Sequence, residues 1–130
     1  MNGHLLDTNI ISAVMRDPAS PLGERLRRDQ PPTSVIVLAE LRFGVLRSGS
    51  QRLARRLIEV MRPLEVIAFE PPAEARYAEV RLHLQRRGEL IGSNDMLIAA
   101  HALALDMTLV TANQREFERV PGLRVENWLR

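Results

Sequence analysis

Apolar positions along the chain fall into short runs separated by longer stretches of helical period. His4-Leu5-Leu6 is a short apolar run that stops at Asp7-Thr8-Asn9, and Ile10–Met15 continues as a helix. Asp17-Pro18 breaks that helix, Pro21–Arg28 reads as a second short one, and Pro31-Pro32 breaks again. Thr33-Ser34-Val35 reads as a brief strand, with Ser34 placed to cap the helix of Ile36–Arg47. Ser48-Gly49-Ser50 ends that helix. Gln51–Met61 forms the next, with Leu53, Leu57, Ile58 and Met61 facing inward, so residues 36–61 make a helical hairpin. After Pro63, Leu64–Phe69 alternates as a strand does, and Pro72 opens an outer helix to about Arg87 that carries Ala75, Ala78, Val80 and Leu82.

The stretch Ile91–Phe117 organises the rest. Ile-Gly-Ser-Asn is a loop in which Ser93 or Asn94 is expected to cap a helix. That helix carries Met96, Leu97, Ile98, Ala99, Ala100, Leu103 and Leu105, apolar almost all round and therefore buried on more than one side. Asp106 marks a turn, Thr108–Thr111 a short buried strand, and Leu123-Arg124-Val125 a last one, after which Trp128-Leu129 packs down. Short apolar strands alternating with helices predict an α/β fold of three layers, a mainly parallel, roughly five-stranded sheet covered on both faces. The expected strands are about 4–6, 33–35, 64–68, 108–110 and 123–125, in a single domain over 1–130.

Composition narrows the chemistry. The 130 residues include no cysteine, which removes disulfides, thiolate metal sites and cysteine nucleophiles together. All 18 basic residues are arginine, so P-loop lysines, Schiff bases and receiver-type phosphoacceptor sites are excluded. Residues 21–62 hold nine arginines against four acids, a surplus in a chain whose net charge is only +2. The clusters Arg25/Arg27/Arg28 and Arg52/Arg55/Arg56 suit phosphate, although a solvated helix face explains either one equally well. Arg42 and the Arg52/Arg55/Arg56 face are the better candidates for contacting a polyanion. No apolar run approaches the ~20 residues of a membrane span, and MNGHLLD has no signal-peptide pattern, so a cytoplasmic protein without membrane contact is expected.

Three acids share one oddity. Asp7 ends a buried strand, while Glu40 (beside Ile36, Val37, Phe43 and Gly44) and Asp95 (beside Ile91, Gly92, Ile98 and Ala99) each interrupt an apolar helical stripe. Taken singly, Asp7 caps a helix, Asp95 favours a helix dipole, and Glu40 reaches water at an edge. Taken together, they can converge at the carboxyl edge of one sheet. Carboxylates clustered in a low-dielectric pocket do not all stay ionised without a cation. Ligation by oxygen alone indicates a hard ion, Mg²⁺ with Mn²⁺ as the alternative, whose chemistry beside a polyanion is phosphodiester hydrolysis.

The segments HLLDTNIIS, TSVIVLAELRFGVLRS and IGSNDMLIAAHALALDMTLVTANQREFERVPGLRVENW resemble a PIN-domain ribonuclease, the toxin of a VapBC toxin–antitoxin pair, over nearly the whole chain. The resemblance implies a PIN-like fold, with Asp7 in LDTN, Glu40 in LAEL and Asp95 in the IG-x-x-D-x-LIA block as metal-binding acids. Asn113 falls at or beside a fourth catalytic position where many members carry an aspartate. There it either orients a water or caps the helix Gln114–Glu118. Thr8 and Ser34 are read as structural caps rather than site hydroxyls. The resemblance further implies a Mg²⁺-dependent endoribonuclease that forms a homodimer and a hetero-oligomer with a VapB-type antitoxin. In the family, the antitoxin's C-terminal segment reaches the acidic pocket, often with an arginine, and operator DNA is bound through the antitoxin. The VENW-type ending is similar to that of toxins cutting initiator tRNA in the anticodon loop.

Two other readings compete: a PIN-like nuclease of RNA processing, and a non-catalytic RNA- or protein-binding module. The acid trio opposes the second. His101 reads as a packed histidine, His4 and His83 have no partner at ligand spacing, and the few aromatics make no base-stacking platform.

Overall fold

The computed structural model describes residues 3–129. It contains the strands β1 (His4–Leu6), β2 (Thr33–Ser34), β3 (Val66–Ile67), β4 (Thr108–Val110) and β5 (Val125–Glu126). The helices are α1 (Thr8–Arg16), α2 (Pro21–Asp29), α3 (Val35–Ser48), α4 (Gln51–Met61), α5 (Ala73–Arg86), α6 (Ser93–Leu105) and α7 (Gln114–Phe117). All strand pairs are parallel, in the order β3-β2-β1-β4-β5. The two central strands are the most apolar, and their Leu5, Leu6, Leu109 and Val110 are fully buried. The chain winds outward from β1 to β3, then crosses back to β4 and winds outward again. Right-handed crossovers therefore put α1–α4 on one face and α5–α7 on the other. Consistent with this, α1 packs on α3 and α4, and α5 packs along α6. No helix among the described residues is long and apolar enough to cross a membrane.

Several expected boundaries move, each for a local reason. Val35 is the first residue of α3 rather than the end of a strand, because the Ser34 Oγ accepts from the Ile36 amide at 3.0 Å and starts the helix there. β3 shrinks to Val66–Ile67, the two residues that pair with β2. The last strand begins two residues late: the Leu123 amide donates to the Val120 carbonyl at 3.3 Å and holds a turn, so pairing with β4 starts at Val125. α6 is capped by neither Ser93 nor Asn94; both lie in its first turn, and Gly92 occupies the cap position. Of the apolar residues expected on the outer helix α5, Val80 is buried, with Ala73 and Leu84 beside it, and Ala75, Ala78 and Leu82 are exposed. On α4 Leu57 is buried while Ile58 is 59 % exposed. Trp128 does pack down, its ring 5.1 Å from that of His4 and covered by the Arg25 guanidinium at 3.5 Å.

The helix that organises the chain is buried as its composition requires. Met96, Ile98, Ala99, Ala100, His101 and Ala102 of α6 are all buried. His101 is packed, as expected of it. Its Nε2 lies 3.1 Å from the Ala68 carbonyl, which only accepts, so Nε2 carries the proton. Nδ1 then accepts from the Ser34 hydroxyl at 2.7 Å. Burial holds the imidazole below its ordinary pKa, and in this neutral tautomer it ties α6 to the ends of β2 and β3.

Candidate active site

The winding direction reverses between β1 and β4, and a crevice opens there beyond the carboxyl ends of the strands. Asp7 follows β1 and Thr111 follows β4. The Thr111 hydroxyl donates to Asp7 Oδ2 at 2.7 Å across the reversal. The other oxygen, Oδ1, accepts from the Thr8 amide at 2.7 Å, so Asp7 does cap α1 while lining the crevice. It is only 3 % exposed. Glu40 arrives from the second turn of α3, where Thr8 Oγ1 donates to its Oε1 at 2.6 Å and Asn94 Nδ2 to its Oε2 at 3.3 Å. Asp95 sits in the first turn of α6, and a Cβ on Gly92 would come within 3.3 Å of its Oδ2.

The four candidate residues Asp7, Glu40, Asp95 and Asn113 line one open pocket of about 390 Å³, together with Thr8, Asn9, Ser12 and Arg16. The carboxylates surround it without closing on a point: among the described residues, no three acidic or histidine side chains form a ready-made cage for an ion. An arrangement of this kind suits Mg²⁺, which keeps several waters and takes only a few carboxylates. The electrostatics favour a cation. Burial raises the Asp7 carboxyl, against the pull of its Thr111 and Thr8 donors, and the charge of Glu40 raises it further. Asp95 is pushed up to about 6 by burial and then by the charges of Asp7, Glu40 and Glu116. An all-oxygen donor set in which burial first, and neighbouring charge second, disfavours ionisation of Asp7 and Asp95 fits a hard divalent ion.

Some expectations change here. Thr8 is no cap: it begins α1, and its hydroxyl orients Glu40. Ser34 is a cap, as expected, and lies outside the pocket. Asn113 occupies the cap position of α7 but makes no side-chain cap bond, which leaves its carboxamide to the pocket. Thr111 and Asn9 were missed. Thr111 Oγ1 also accepts from the Asn113 amide at 3.0 Å, and Asn9 Oδ1 accepts from the Ala112 amide at 3.0 Å, so together they fix the loop after β4. Ser12 and Arg16 were missed too, although a helical period of four from Thr8 points to both.

The arginine clusters are partly spent on structure. Arg27 donates to the Pro18 carbonyl at 2.8 Å, Arg28 pairs with Asp29, and Arg25 covers Trp128. Arg56 of the other cluster donates to the Met15 and Arg16 carbonyls, the last turn of α1.

The sequence profile of the PIN domain matches residues 4–123. The chain belongs to the PIN-domain family. This PIN domain is 40 % identical over 130 residues to ribonuclease VapC2 of Rickettsia felis, covering 96 % of this chain and 97 % of that one. It is 33 % identical over 127 residues to the tRNA(fMet)-specific endonuclease VapC of Salmonella typhimurium, covering 95 % and 96 %. Its fold superposes with a TM-score of 0.86, at 38 % identity and over 96 % and 98 % of the two chains, on VapBC2 from Rickettsia felis bound to a DNA fragment from their promoter. Within the PIN-domain family, this chain therefore falls with the VapC ribonucleases.

Proposed function

We propose that the chain is a divalent-metal-dependent endoribonuclease toxin, with Mg²⁺ as its ion and Mn²⁺ as the alternative. The observation that supports this most is the meeting of Asp7, Glu40 and Asp95, from three separate elements, in one crevice at the point where the sheet reverses. Asp7, Glu40 and Asp95 would hold the ion. Bound there, it would neutralise developing charge on a phosphodiester and lower the pKa of water. The chain's own residues do the orienting. Thr111 and the Thr8 amide each take one lone pair of Asp7, Thr8 and Asn94 fix Glu40, and Asn113 offers a neutral donor and acceptor at the rim.

The relatives' names supply the substrate and partners of this reading. The tRNA(fMet)-specific relative directs it to initiator tRNA, and we place the cut in the anticodon loop, in the cytoplasm, on the resemblance of the VENW-type ending. The VapBC complex bound to promoter DNA directs it to a VapB-type antitoxin that contacts operator DNA on behalf of a toxin homodimer. The outer surface of the hairpin, where Phe43, Leu46 and Ile58 stand exposed beside a groove of about 530 Å³, is where the antitoxin would lie. The test is cleavage of total tRNA by the purified chain, free of partner, with Mg²⁺ and with EDTA. Cutting should occur only with the metal and drop on the order of a hundredfold in Asp95→Asn. Cutting that survives both EDTA and Asp95→Asn would overturn the reading.

A further inference from the structure

A second pocket of about 400 Å³ adjoins the acids and shares Thr8, Ser12, Arg16 and Glu40 with their pocket. Its far wall is apolar, formed by Met15, Leu41, Val45 and Leu53 of α1, α3 and α4. Gly44 lines it too. Gly44 lies four residues after Glu40, one turn along the same face of α3, in the interior of a 14-residue helix. A glycine there weakens the helix, and the usual compensation, close packing against a neighbour, is missing: a Cβ at Gly44 would meet no atom within 4 Å. The helix therefore leaves open space at this position, on the side that lines the pocket. Arg16 on the shared wall is free to meet a ligand there, since it takes part in none of the ion pairs among the described residues.

We propose that this pocket is the subsite for the nucleotide next to the scissile phosphate, with Arg16 on its phosphate and Gly44 making room for its sugar and base. The inference rests on the ribonuclease reading and adds to it a defined place for the substrate. Continuity with the acid pocket means that a chain whose phosphodiester sits at Asp7 and Glu40 runs directly onto Arg16. The charge fits: with Glu40 of the same wall holding the ion, the Arg16 guanidinium is left to attract a phosphate and repel an arginine-bearing protein arm. The mix of polar Thr8 and Ser12 facing an apolar wall suits a sugar and base, which present both characters.

The experiment uses the full chain and a fluorescein-labelled single-stranded RNA oligonucleotide with Ca²⁺ in place of Mg²⁺, so that binding is read by anisotropy apart from cutting. Gly44→Ala should raise Tm by about 2–4 °C, since the helix gains, yet weaken RNA binding. Gly44→Leu should weaken binding on the order of tenfold or more. Arg16→Gln should lower the salt dependence of log K by about 0.7, the contribution of one single-strand phosphate contact. Cleavage by the wild type, run beside these, separates the two claims. Wild-type cutting with Gly44→Leu and Arg16→Gln binding RNA normally would overturn the subsite and leave the nuclease standing. Weakened RNA binding in the variants without wild-type cutting would overturn both the nuclease and a subsite defined by its scissile phosphate, leaving a plain RNA groove. Unchanged RNA binding combined with lost capture of the antitoxin by Gly44→Leu would assign the pocket to the antitoxin instead.

Discussion

Asp95 carries the largest electrostatic strain in the site, and its sign makes a test. Its carboxyl is raised from 3.8 to about 6, so the fold prefers it protonated. The stability that comes with the proton is complete below its ordinary range and is lost as pH rises through about 6. The metal-free chain should therefore melt at a lower temperature at about pH 7 than at about pH 5, and Asp95→Asn should flatten that slope. Added Mg²⁺ should raise Tm more at the higher pH, where the ion meets an ionised site. A flat melting profile in the metal-free wild type would refute the strain. Thr111 makes a second test, since Thr111→Val removes the donor to Asp7 Oδ2, and the acceptor of the Asn113 amide with it, while keeping the shape. It should cost about 10–100-fold in metal affinity, read by titrating the ion against cleavage. Thr111→Ser should restore the affinity. The acids were legible in the sequence because a carboxylate in an apolar stripe violates its surroundings. Thr111 was not, because a threonine in a buried strand is ordinary there and only the fold brings it to Asp7, 104 residues away.

At the scale of elements, His101 ties α6 to β2 and to the segment after β3. His101→Leu fits the volume but leaves the buried Ser34 hydroxyl without an acceptor and the part-buried Ala68 carbonyl without its donor. It should cost about 2 kcal/mol, read as a shift of the urea midpoint at constant slope. A shift under about 1 kcal/mol would mean that water or relaxation satisfies both groups. Helices and their breaks were legible here because prolines, glycines and period 3.6 act locally. Strand ends were not, because a two-residue strand is defined by its partner: Val35 and Leu123 are as apolar as any strand residue, and a cap and a turn took them out. The inward face of α5 was not legible for a related reason. Its apolar positions are few, and only packing along α6 selects Leu84 over Leu82.

Over the whole molecule, exposed apolar surface gathers on the hairpin, around a groove that Arg42 and Arg62 also line. The three-layer α/β order followed from alternation alone, but where the surface stays unfinished did not, because a helix stripe reads as core until its neighbours are known. Ile58 was read as buried for that reason, and instead stands 59 % exposed near Leu46, which is 80 % exposed. Apolar side chains this open, set around a groove floored by Leu57 and Met61, favour a partner that buries them. The proposed antitoxin would do so. Replacing both with charge, Leu46→Glu with Ile58→Glu, adds two carboxylates to a contact that must be dry. Antitoxin affinity should fall on the order of a hundredfold by titration calorimetry. Neither residue lines the acid pocket or the one beside it, so metal-dependent RNA cleavage by the free chain should persist. In a cell carrying both genes, the double variant would then escape neutralisation and arrest growth, whereas an inactive toxin would not. Retained antitoxin binding, together with a shift from dimer to monomer in light scattering, would show that the hairpin face belongs to a second copy of the chain.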